Sequence, residues 1–385
     1  MKGLRVFRTL VTCALMISAS CSYGSFDKDY SEGEKADIGT GNGSNAGVIT
    51  AGEWNDLDNW DFWNNLISGQ TQENFYRYLD HWSLYTQGRF PVTVVDTDNN
   101  PVCGAKVELF IDDSSTPIWS AISDNSGSAE LWYNISSNID TDEEKTFTVR
   151  VNGSQIAQPV GSEQNIIKIV EAVVPKKSVD IAFIVDATGS MGDEINFLKD
   201  DLMYILNQVI ISQSDKSFRT AALFYRDEGD DYLTRHENFS NDPSSTLKFI
   251  KKQEAQGGGD YPEAVHTALE NAMQNLSWEE GNHARLAFLI LDAPPHHSQK
   301  ILDSLHNSIR LYAAKGIKII PVAASGIDKS TEFLLRLMAM MTDGTYVFIT
   351  NDSGVGNDHI TPTVGGYQVE QLNQLLVRLI DKYSE

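Results

Sequence analysis

The chain has 385 residues, of which 41% are hydrophobic and 22% charged, enough for a sizeable core and more than one domain. Its net charge of −23 argues against nucleic acid as a partner, because phosphate binding needs a basic surface. The same excess favours solubility and attracts cations.

Residues 1–20 read as a secretory signal: Lys2, Arg5 and Arg8 lead, an apolar stretch over 9–19 follows, and small residues precede Cys21. The apolar run is too short to span a bilayer. Ser18-Ala-Ser-Cys21 resembles a bacterial lipobox, which implies lipidation at Cys21, although Ser18 stands where an aliphatic residue is usual. The alternative is ordinary cleavage nearby and secretion. Removing the leader takes away three basic groups and no acidic one. Of the three cysteines, Cys13 leaves with the leader and Cys21 carries lipid, so Cys103 remains without a disulfide partner. That suits a bacterial cell-envelope or surface protein, expected as an outer-membrane lipoprotein, better than a small bridged extracellular domain.

Residues 21–50, rich in Gly, Ser, Asp and Glu, are expected to form a flexible acidic tether. Residues 51–88 crowd nine aromatic rings between Trp54 and Tyr85. A carbohydrate-stacking surface is one reading; rings packed against the following sandwich domain is the one adopted. Over 89–174 short period-2 runs alternate with turns such as Asn99-Asn-Pro and Asp124-Asn-Ser-Gly, which predicts a β-sandwich of immunoglobulin size. The run from Val92 through Ala105 to Leu131 resembles the carboxypeptidase-regulatory or transthyretin-like sandwiches. It contains no catalytic constellation, which implies a spacer or adhesion module.

After a short hinge at Pro175-Lys-Lys, residues 178–384 alternate strand and helix. Residues 179–185 are an apolar run expected of a central strand buried on both faces. Ile195, Leu198, Leu202, Ile205 and Val209 step as one helical stripe. Further strands are predicted over 220–225, 232–239 (an edge), 286–291, 317–322 and 345–349. Helices are predicted from Pro262, around Leu302 to Tyr312, and from Val369 to Tyr383. The fold class is therefore α/β, a doubly wound, mainly parallel sheet preceded by an all-β sandwich. Such sheets bind ligands at the carboxyl ends of their strands.

Three loops at that edge are acidic: Asp186-Ala-Thr-Gly-Ser190, Gly257-Gly-Gly-Asp-Tyr-Pro-Glu263 and Asp292-Ala-Pro-Pro-His-His297. Converging carboxylates at ~5 Å and an effective dielectric of about 20 repel by roughly 3 kcal/mol per pair, so the cluster is expected to hold a cation or to carry raised pKa values. Hard oxygen ligands suit Mg²⁺ first, with Mn²⁺ or Ca²⁺ as alternatives. His296 and His297 are read as loop residues, since such oxygen sites do not recruit imidazole readily. Residues 226–231, Arg-Asp-Glu-Gly-Asp-Asp, are read as an exposed acidic turn.

Asp186-x-Thr-x-Ser190 resembles the metal-ion-dependent adhesion site (MIDAS) of von Willebrand factor type A (VWA) domains, over residues 178–384. The resemblance implies Asp186, Thr188, Ser190 and Asp292 as metal ligands. Asp260 stands where a Thr is usual and is expected as a third carboxylate. It also implies a non-enzymatic, metal-dependent adhesion protein, which the leader and lipobox place in the cell envelope. Its partner would be a protein or matrix-like ligand, and the membrane would be touched only through the lipid. One alternative is a structural envelope protein whose metal stabilises the fold. Another is a haloacid-dehalogenase-like phosphatase with Asp186 as nucleophile, disfavoured because Thr188 occupies the place of its second Asp.

Overall fold

The computed structural model describes residues 47–384 except 113, 134, 136–144, 157–160, 162–163, 171–176 and 213–215. The leader, Cys21 and all of the expected tether before residue 47 lie outside the described residues. Residues 47–54, by contrast, are part of the fold. Strand β1 (Thr50–Trp54) pairs antiparallel with a late strand of the large sheet, and Ile49 and Ala51 are fully buried.

Two short helices follow, α1 (Trp60–Ile67) and α2 (Tyr76–Trp82). Then come β2 (Arg89–Val95), β3 (Lys106–Ile111), β4 (Trp119–Ile122), β5 (Ser128–Trp132), β6 (Phe147–Val151), β7 (Ser154–Gln155) and β8 (Asn165–Lys168). These build two small sheets, ordered β5-β2-β8 and β4-β3-β6-β7. Alternating residues such as Val92, Val94, Val107 and Leu109 are buried, as period-2 patterning requires.

The second half runs β9 (Ser178–Asp186), a 3₁₀ turn (Gly189–Asp193), α3 (Ile195–Ser212), β10 (Ser217–Tyr225), β11 (Thr234–Ser240), α4 (Pro243–Lys251), α5 (Val265–Asn275) and β12 (Ala284–Leu291). It continues through α6 (Gln299–Ala314), β13 (Ile317–Ala323), α7 (Lys329–Met341), β14 (Tyr346–Ile349), β15 (Glu370–Gln371) and α8 (Leu372–Ser384). The large sheet is ordered β11-β10-β9-β12-β13-β14-β1-β15. Its five inner strands from β10 to β14 are parallel; β11 and β1 run antiparallel to them at the margins, and β15 pairs antiparallel with β1.

Both faces are covered. Ile181, Phe183 and Val185 of β9 pack with residues of α3, α4 and α8, such as Leu198, Ile250 and Leu376. Ala182 and Ile184 point the other way, into a core with Leu269, Leu305 and Phe333 of α5, α6 and α7. The near-continuous apolar sequence of β9 follows from this two-sided burial.

Three features differ from the sequence expectation. The small sheets have no core of their own: Val92, Leu109, Trp119 and Leu131 belong to the same apolar cluster as α5–α7. Arg310 of α6 lies over the Trp119 ring and donates to Ile118 O (3.0 Å). The aromatic segment packs mainly on α7 rather than on the small sheets. Phe333 receives Trp63, Phe75 and Tyr78 at 5.5–5.8 Å between ring centroids, while Trp60 reaches Trp132 (6.0 Å). Buried Trp63, Phe75 and Trp82 are unavailable for stacking on sugars. Finally, α5 starts at Val265 instead of Pro262, because Glu263 N–H donates to Pro294 O (2.8 Å) and Glu263 bridges to Pro295.

Candidate metal centre

The strand order sets the site. β9 lies between β10 and β12, so the loops leaving their carboxyl ends meet at one edge of the sheet. β9 ends on Asp186, which is fully buried. Its Oδ1 accepts from Thr188 N–H (2.8 Å) and from the Thr188 hydroxyl (2.7 Å). Thr188 Oγ1 stands 3.2 Å from Ser190 Oγ, and Ser190 is exposed. The cluster therefore runs from a buried carboxylate to solvent along two hydroxyls.

Asp292, following β12, is 4% exposed. Burial pushes Asp186 up to about 7, and the neighbouring Asp292 charge adds to the rise while the Thr188 hydrogen bonds oppose it. Burial likewise pushes Asp292 up to about 6, with Ser190 opposing and Glu194 adding to it. One oxygen of each, Asp186 Oδ2 and Asp292 Oδ1, is buried without a hydrogen-bond partner. Tyr225 at the end of β10 is fully buried beside them, and its hydroxyl makes no well-formed hydrogen bond. Unpartnered carboxylate oxygens beside two hydroxyls form a donor set that fits a hard dication.

Asp186, Thr188, Ser190 and Asp292 are thus brought together. Asp260 is not placed with them: it is exposed and groups with Asp227 and His296, one donor atom from each lying within 4.8 Å of the others. The buried acid of that loop is Glu263, 2% exposed. Burial first, then Asp186, Asp227, Asp292 and Asp230, push its carboxyl up to about 9. The glycine loop is shaped around it. Gly258 has φ +70°, and a Cβ there would come within 2.8 Å of Glu263 Oε1 and 3.2 Å of Thr188 Cβ. Gly257 (φ +80°) would meet the Asp230 carboxylate at 2.3 Å. Gly189 N–H donates to Gly257 O (3.0 Å), joining this loop to the first.

The 226–231 turn is also less exposed than its composition suggests. Asp227 is 6% exposed and pairs with His296 Nε2 at 2.8 Å. Arg226, 5% exposed, donates to the carbonyls of Ala187 (3.2 Å) and Glu254 (2.9 Å). Sequence reasoning missed Glu263, whose position in an acidic glycine loop was visible but whose burial was not.

This sheet defines a doubly wound α/β domain, and residues 180–360 match the von Willebrand factor type A domain family. Two curated relatives share 131 residues with the chain. A putative ariadne-like RING finger protein of Acanthamoeba polyphaga mimivirus is 31% identical, over 34% of this chain and 12% of that protein. The alpha-protein kinase vwkA of Dictyostelium discoideum is 28% identical, over 34% of this chain and 20% of its own length. The chain therefore matches a fifth or less of these relatives, whose names describe them alone. Among solved structures, the conserved hypothetical protein BatB from Bacteroides thetaiotaomicron is similar at 14% identity and TM-score 0.37, covering 54% of this chain and 98% of BatB. Proximal thread matrix protein 1 from the mussel byssus is similar at 17% identity and TM-score 0.32, covering 43% of this chain and 41% of that one.

Proposed function

We propose that the chain is a non-enzymatic envelope protein that binds a partner through a divalent cation, Mg²⁺ first, held by Asp186, Thr188, Ser190 and Asp292. The observation that carries this reading is the pair Asp186 and Asp292, buried together with one unpartnered oxygen each. A dication would neutralise that pair, and the exposed Ser190 end leaves it reachable by a ligand oxygen from a partner. The sandwich reading of the two small sheets makes them the platform that carries the site. Export, with Cys21 as a lipid anchor, is part of the same reading; among the described residues no helix is long and apolar enough to cross a membrane.

Phosphatase chemistry fits the site poorly. The residue two positions after Asp186 is Thr188, whose hydroxyl is already donated to Asp186 Oδ1, so it offers no carboxyl group as general acid. The test is a pull-down from native surface material with wild type and Asp186→Asn, in Mg²⁺ and in EDTA. Partners recovered only by wild type in Mg²⁺ are expected. The same proteins in all four samples would overturn the proposal.

A further inference from the structure

We propose that Asp227, Asp260 and His296 form a second cation site, separate from the Asp186 cluster and suited to a borderline first-row dication such as Zn²⁺. One donor atom from each residue lies within 4.8 Å of the other two. They come from three different loops, after β10, before α5 and after β12. Two ligands about 2.1 Å from one tetrahedral ion stand about 3.4 Å apart. His296 Nε2 and Asp227 Oδ1 are 2.8 Å apart in a hydrogen bond, so a separation of about 0.6 Å more would let them share such an ion.

The three loops are fixed to one another independently of these side chains. Asp230 Oδ2 accepts from Asp227 N–H (3.1 Å) and from Gly258 N–H (2.9 Å), tying the first loop to the second. Glu263 N–H donates to Pro294 O (2.8 Å), tying the second to the third. A further observation points to a cation here. Glu263, near this group, is 2% exposed, its Oε2 has no hydrogen-bond partner, and besides burial and Asp186 the Asp227, Asp292 and Asp230 charges act on its carboxyl. A simple His296–Asp227 ion pair accounts for neither that orphan oxygen nor the placement of Asp260.

The donor set decides the metal. Mg²⁺ holds to oxygen ligands and dehydrates reluctantly, whereas imidazole suits Zn²⁺ and its neighbours. Asp260 is exposed, so the site opens to solvent. Three protein ligands leave a position for water or for a donor atom from a partner.

The test uses the purified full chain in saturating Mg²⁺, with Zn²⁺ binding followed by equilibrium dialysis and metal analysis. One tightly retained equivalent of Zn²⁺ is expected, unaffected by Asp186→Asn. His296→Ala and Asp260→Asn should each weaken it at least about tenfold, since losing even a hydrogen-bond partner of a metal ligand costs about 10–100-fold. Circular dichroism checks that both variants are folded, and the exposed position of Asp260 makes its variant the safer of the two. Zinc that is not retained, that both folded variants retain equally, or that Asp186→Asn abolishes would overturn the proposal.

Discussion

Two groups of buried carboxylates in this molecule are treated in opposite ways. Asp56 and Glu332, where the aromatic segment meets α7, are neutralised from within. Arg336, fully buried, donates to both Asp56 oxygens (2.5 and 2.8 Å) and stands 3.6 Å from Glu332 Oε1. Lys329 Nζ and Thr363 N–H also donate to Glu332 (2.9 and 2.6 Å). Burial works against the Arg336 charge, yet Asp56 and Glu332 outweigh it and keep the guanidinium protonated. At the sheet edge, Asp186, Asp292 and Glu263 have hydroxyls and backbone for company. The adjacent cation, Arg226, is committed to carbonyl oxygens. Asp56 and Glu332 thus have their counter-charge within the chain, whereas among the described residues no cationic side chain forms an ion pair with Asp186, Asp292 or Glu263, and under the proposed function a cation takes that place.

The largest expected effect tests the paired half of that contrast. Arg336→Ala leaves Asp56 and Glu332 buried and uncompensated, which costs about 3–5 kcal/mol. The loss should appear in chemical denaturation, equally with and without Mg²⁺. An unchanged unfolding midpoint would remove the distinction between the two groups.

The next effect tests the unpaired half. Asp186→Asn should not destabilise the metal-free protein, because it relieves repulsion with Asp292 in a buried setting. It should abolish stabilisation by Mg²⁺, which for wild type amounts to about 2.7 kcal/mol at a hundredfold excess over Kd. Calorimetric melting with and without Mg²⁺ measures both. A metal-free variant as unstable as Arg336→Ala would make Asp186 a structural carboxylate after all.

The contrast also explains what could be read from the sequence. Asp186, Thr188 and Ser190 were legible because an apolar strand ends on the first and the hydroxyls follow at alternate positions. Asp292 was legible as the residue directly after another apolar strand. Glu263 and Asp260 exchanged places because burial in that loop depends on the pairing of Glu263 with Pro294 and Pro295, a long-range contact that leaves no local pattern. The Arg336–Asp56 pair spans 280 positions, and neither residue has a signature beyond an isolated charge. The small sheets read correctly as short alternating strands. Their shared core with α5–α7 was not legible, because a buried alternating residue looks the same whichever element covers it.

The smallest effect concerns pH. Asp186 and Asp292 are raised to about 7 and about 6 in the folded chain, above the ordinary carboxylate value of 3.8. The metal-free folded state therefore binds protons that the unfolded state has released, and stability falls as pH rises through that window. Asp201 and Asp343, both raised by burial to about 7, act in the same sense. The buried histidines His266 and His306 are lowered from 6.5 by burial and act in the opposite one. The measurement is therefore a difference: the Tm of wild type minus that of the Asp186→Asn/Asp292→Asn double variant, in EDTA, from pH 5 to pH 8. It should become more negative by roughly 2–4 °C for each kcal/mol of repulsion released. Mg²⁺ at pH 8 should reverse the trend for wild type alone, because the ion stabilises the ionised pair that protons otherwise neutralise. A flat difference would mean that both carboxylates stay ionised without metal, and that their repulsion is met by groups of the protein itself.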